Sequence, residues 1–174
     1  MAAIAGNKAA GIGITDAAAL LFVFAVPALS HLTAVPFYLL DPMRLAVLGA
    51  LLVTRNWKNS LALALAVPLF SMALSGHPAF PKCLLIAAEL SVNVLLFIGI
   101  ARLSGRSGIS RPVGVGVSAF LSIIISKLFY YGLKAAVLSA GMMQSELVST
   151  ALWIQLALAA ALSLAFAFLF KTES

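Results

Sequence analysis

Charge is what this chain most lacks. Only 9% of its 174 residues are Asp, Glu, Lys or Arg, whereas soluble domains carry about 25%. That deficit excludes an ordinary water-soluble domain. Cysteine is all but absent too: Cys83 stands alone, which excludes an intrachain disulfide and argues against a soft-metal site. His31 and His77 are the only histidines. Neither belongs to a tightly spaced helical zinc pair and both border loops, so no metal is expected, and hydrogen bonding or loop structuring is their predicted role. The chain has no Gly-rich phosphate loop, HExxH pair or nucleophile signature. It also lacks the alternating segments of about 10 residues that mark a transmembrane barrel.

What remains is apolar. Hydrophobic residues make up 63% of the chain and its mean hydropathy is +1.13, in stretches of about 20 residues that match a hydrocarbon core of about 30 Å. The predicted fold class is an all-α integral membrane protein, a six-transmembrane-helix bundle. Pro, Gly and charge punctuate it into helices over about 15–35, 37–54, 57–75, 80–103, 112–137 and 148–170. No linker is long enough to separate domains, so residues 1–174 read as a single transmembrane domain. Lys8 precedes a long apolar run followed by another span, which predicts a retained helix rather than a cleaved signal. The net charge of +6 reports topology rather than nucleic acid. Lys8, Arg55, Lys58, Arg102, Arg106, Arg111 and Lys171 fall on one side, and the opposite loops hold Lys82, with Lys134 near a helix end. The positive-inside rule then puts both termini in the cytoplasm of a multi-pass protein of the cell's inner (plasma) membrane.

Helical rise converts position into depth. Glu89 and Arg44 come out roughly 12 Å and 9 Å below the outer face, Lys127 about 8 Å and Gln155 about 10 Å below it, with His31 and Ser71 at comparable levels. The inner halves carry no charge, only Leu, Ala, Val and Gly with scattered Ser. A channel or self-sufficient carrier needs polar lining to both sides. Polarity that stops halfway predicts a cup open to the exterior, which captures a solute but needs a second protein to pass it on.

Spacing supports convergence. Lys127, Tyr130, Tyr131 and Lys134 share one helical face, Lys82, Glu89 and Asn93 another, and Asp41 and Arg44 are i, i+3. Two readings compete. Arg44 with Asp41 and Lys127 with Glu89 can be internal ion pairs that hold helices together, since buried charge is normally paired. Alternatively, the donors left after pairing serve a ligand. Phe37, Tyr38, Phe80, Tyr130, Tyr131 and Trp153 cluster near the outer surface, as an interfacial belt or as an aromatic wall. A mixed polar cup with an aromatic wall suits a small water-soluble ring compound with an anionic or zwitterionic group. Ala9, Gly13 and Ala17 recur every four positions, and Gly114 and Gly116 open helix five, stripes that let helices approach closely.

Two segments carry a family resemblance. In "VPALSHLTAVPFYLLDPMRLAVLGALLV" helix one ends near a Pro and a His, and a Pro-Met pair opens a small-residue helix two. In "VPLFSMALSGHPAFPKCLLIAAEL" helix three holds a Pro and a Ser, followed by a Gly-x-Pro turn and a Glu-Leu in helix four. From about Phe24 to Leu103 the chain thus resembles the substrate-binding S components of energy-coupling factor (ECF) transporters. The resemblance implies a six-helix receptor that captures a small water-soluble vitamin or vitamin precursor from outside. It implies partners, a membrane coupling subunit and two cytoplasmic ATPases, so that ATP is used by those subunits and the chain itself is no enzyme and holds no cofactor. It further implies a pocket under the loop between helices one and two, lined by Glu89, Asn93, Lys127, Tyr131 and Gln155. Arg44, His31 and His77 complete the candidate substrate-binding set, with no catalytic residue. The alternative is a small intramembrane enzyme or standalone transporter that uses the same Glu, Lys and Arg cluster.

Overall fold

The computed structural model describes residues 2–33, 37–76, 78–148 and 150–171. Among them are six α-helices, one short 3-10 helix and no strand: α1 Ala2–Thr33, the 3-10 helix Phe37–Leu40, α2 Pro42–Thr54, α3 Trp57–Ser75, α4 Phe80–Arg106, α5 Arg111–Ser139 and α6 Leu152–Lys171. Five carry segments long and apolar enough to cross a membrane: Ala10–Thr33, Trp57–Ser75, Phe80–Arg106, Arg111–Ser139 and Leu152–Leu169. The protein is a multi-pass membrane protein by these helices.

The element boundaries follow from local chemistry. The apolar run predicted over 37–54 divides: Phe37–Leu40 coil into a 3-10 turn and α2 begins only at Pro42. Proline's fixed φ suits a first helical turn, while Asp41 before it is left-handed at φ 50 and stops the helix from extending backward. With 13 residues, α2 is about 20 Å long, short of the hydrocarbon core. At its other end Arg55, also left-handed, donates its backbone N–H to Leu51 O at 2.9 Å. Helix α1 starts well before the predicted residue 15, because Gly11 and Gly13 do not interrupt it. Gly76, at φ 69, closes α3, where a residue with a Cβ would be strained. Helix α6 starts at Leu152, four residues later than predicted.

The chain divides into two compact units, Met1–Ala87 and Ala88–Ser174, the boundary falling inside α4. In the first unit α1, α2 and α3 pack on one another, and the 3-10 turn lies against α1 and α2. Its buried side chains include Val23, Val26, Val47, Leu48, Leu63 and Val67. In the second, α5 lies along α6, and Phe97 of α4 meets Phe166 of α6 edge to face at 5.7 Å between ring centroids.

Helix α5 shows what solvent the fold is built for. Val113, Val117, Leu121, Ile125 and Phe129, four residues apart, are each at least 40% exposed. The neighbouring ridge, Gly114, Ser118, Ser122, Ser126, Tyr130 and Lys134, is buried. Large apolar groups outside and small or polar ones inside is the arrangement lipid favours. Each serine on the ridge donates to its own helix, Ser118 to Gly114 O at 2.6 Å, Ser122 to Ala119 O and Ser126 to Ile123 O at 3.0 Å, so their burial leaves no donor unmet. Close packing follows from the glycines. A Cβ on Gly116 would stand 3.1 Å from Ala167 Cβ and 3.2 Å from Ser163 O, and one on Gly114 3.2 Å from Ser104 Cβ.

Candidate functional site

In the second unit the polar residues converge on α4 and α5. Glu89 and Asn93, one turn apart on α4, are 3% and 1% exposed, among buried Leu90 and Val94. Lys127 Nζ of α5 lies 3.0 Å from Glu89 Oε1. At that distance the attraction is about 5 kcal/mol for an effective dielectric near 20, and removing both ions from water costs several kcal/mol each. The pair is therefore close to break-even for stability, and its worth lies in fixing α4 against α5. Lys127 Nζ also stands 5.5 Å from the Tyr130 ring centroid, and Lys134 Nζ stands 5.9 Å from the same ring.

Lys134, expected as a spare donor, is buried and committed. Its ammonium donates to the backbone carbonyls of Glu146 and Leu147, the latter at 3.1 Å. It thereby clips the segment between α5 and α6 onto α5. Tyr131 and Gln155 join those same two helices: the Tyr131 hydroxyl donates to Gln155 Oε1 at 2.8 Å, and Gln155 Nε2 donates to Thr150 O at 2.7 Å. Of the two adjacent tyrosines Tyr130 is the buried one, and the rings meet edge to face at 5.6 Å. Asn93 differs from all of these. Neither its Nδ2 nor its Oδ1 has a hydrogen-bond partner among the described residues, a deficit of about 1–3 kcal/mol for each group.

In the first unit Arg44 is buried with its Nε 3.2 Å from Asp41 Oδ2. The left-handed backbone of Asp41 does not cap α2 with its side chain, so its carboxylate is turned to Arg44 instead. Both ion pairs named from charge and spacing are thus formed. His31 is exposed in the last turn of α1, and His77 lies outside the described residues. One contact had no anticipation in the sequence: Asn59 Nδ2 donates to Asp16 Oδ1 at 2.7 Å, joining α3 to α1. Among the described residues no three His, Cys, Asp or Glu side chains gather as a metal-binding group.

Of the predicted site residues in the second unit, the structure joins Glu89 to Lys127 and Tyr131 to Gln155, leaves Asn93 without a hydrogen-bond partner among the described residues, and in the other unit pairs Arg44 with Asp41. The serine ridge of α5 and the loop-clipping role of Lys134 went unread in the sequence. The first was signalled by its four-residue spacing; the second depends on a backbone contact that leaves no such mark. No protein-family model, curated protein or solved structure matches the chain. Its functional reading rests on its own residues.

Proposed function

We propose that the chain is the substrate-binding S component of an ECF-type importer, which captures a small water-soluble vitamin or vitamin precursor from the extracellular side. In this reading it lies in the cell's inner membrane with both termini cytoplasmic. Helix α2, preceded by the 3-10 turn, makes the sixth crossing. A membrane coupling subunit and two ATPases supply transport, and the chain itself neither hydrolyses ATP nor carries out chemistry. Glu89 and Lys127 orient the solute, Asn93 adds hydrogen bonds, and Tyr131 supplies an aromatic wall.

The observation that supports this most is the buried Glu89, paired with Lys127 of α5 and one turn from an Asn93 amide without a partner among the described residues, in a stretch of α4 that is otherwise apolar from Cys83 to Ala101 apart from Ser91. Ionisable groups at such depth are expensive and are kept chiefly where they have a task. Expression of the tagged chain in its native host tests the proposal: co-purification of a coupling subunit with ATPases, and a vitamin-like solute in the denatured protein by mass spectrometry, are expected. Turnover of a lipid-like substrate by the isolated chain would replace this reading with that of an intramembrane enzyme.

A further inference from the structure

The two amides carried on helices of the second unit are in opposite states. Gln155 is fully engaged, its oxygen with Tyr131 and its nitrogen with Thr150 O. Asn93 is more deeply buried and engages nothing among the described residues, with donor and acceptor both open. Burying two unmet polar groups in apolar surroundings is costly, and Asn is a poor helix former besides. A Leu would remove both costs at this position. The open amide stands one turn from Glu89 on α4, and Lys127, the partner of Glu89, has a side chain 24% exposed.

A planar carboxamide offers one N–H donor and one C=O acceptor side by side. The group that meets both at once presents the reverse pair in one plane, which is the cis-amide edge of a lactam, imide or cyclic urea. A carboxylate fails the match, because it sets a second acceptor against Asn93 Oδ1. The adjacent charges already neutralise one another, so a neutral edge is also the better electrostatic fit. We propose that Asn93 is the specificity-determining residue of the site and that the solute is a ring compound with a neutral cis-amide edge. This rests on the reading of the chain as a solute receptor.

The test uses the purified full-length protein in lipid nanodiscs, with uracil, 2-pyrrolidinone and 2-imidazolidinone as probes and their N-methylated forms as controls, followed by thermal unfolding and calorimetry. At least one probe is expected to raise the unfolding midpoint, and its fully N-methylated form, which lacks the donor, is not. Asn93→Leu is expected to weaken that probe by about tenfold or more, the loss of two hydrogen bonds, while its own ligand-free midpoint is no lower than that of the wild type. Equal effects of the methylated forms on the wild type, an unaltered response in Asn93→Leu, or no binding by any of the three overturns the proposal, and buried water then accounts for Asn93. The methylated controls need no variant, so a poorly folding Asn93→Leu does not blunt the test. Mass spectrometry of the denatured wild type separates the two levels of inference: a bound solute without a cis-amide edge removes this assignment and leaves the receptor, whereas absence of any solute removes the receptor as well.

Discussion

At the residue scale the decisive fact is how each buried polar group is compensated. Glu89 and Lys127 compensate each other at 3.0 Å, so removing either one strands a charge in an apolar setting. Glu89→Gln and Lys127→Met are each expected to destabilise the protein by about 3 kcal/mol, and the double variant by clearly less than the sum. A double-mutant cycle of thermal unfolding in detergent measures this, and additive losses would show that the pair is uncoupled. Asp41 makes the same argument at α2. Its left-handed backbone tolerates Asn well, so Asp41→Asn isolates the loss of charge beside buried Arg44 without new backbone strain. A lower unfolding midpoint with unchanged helix content is the expected result by circular dichroism.

At the scale of elements, α5 organises the second unit through one ridge of small and polar residues. Gly116 faces both the Ala167 side chain and the Ser163 backbone, and a backbone atom cannot move aside as a side chain would. Gly116→Ala is expected to cost about 1–3 kcal/mol through overpacking. Gly132, on the same helix with nothing within 4 Å of its would-be Cβ, is the control: Gly132→Ala is expected to gain up to about 1 kcal/mol from helix propensity. The segment after α5 depends on one ammonium. Lys134→Met removes the donor to Glu146 O and Leu147 O and is expected to raise amide hydrogen exchange across residues 142–148, while α5 itself keeps its protection.

At the scale of the whole molecule, helix length governs the number of crossings. Five helices are long and apolar enough to span, and α2 is too short to do so alone. The even count with cytoplasmic termini follows if the 3-10 turn and α2 cross together. Cys83, the only cysteine and fully buried, provides a quiet background for labelling. Ser107→Cys, in the exposed turn between α4 and α5, is expected to react with a membrane-impermeant maleimide only in opened cells, and Ser145→Cys, exposed between α5 and α6, in intact ones. The reverse pattern would invert the orientation drawn from the basic loops.

Much of this protein was legible from its sequence alone. Scarce charge and long apolar runs determined a helical multi-pass membrane protein, because hydropathy and length are properties of single segments. The same reading named Glu89 with Lys127 and Asp41 with Arg44 as candidate pairs, since buried charges of opposite sign have few alternatives. Tertiary structure decided what each polar atom meets. Lys134 went to two backbone carbonyls, Gln155 to Tyr131 and Thr150, and Asn93 to no partner among the described residues. Such assignments depend on which helices bring atoms within about 3 Å, and spacing along one helix does not encode the surface of its neighbour.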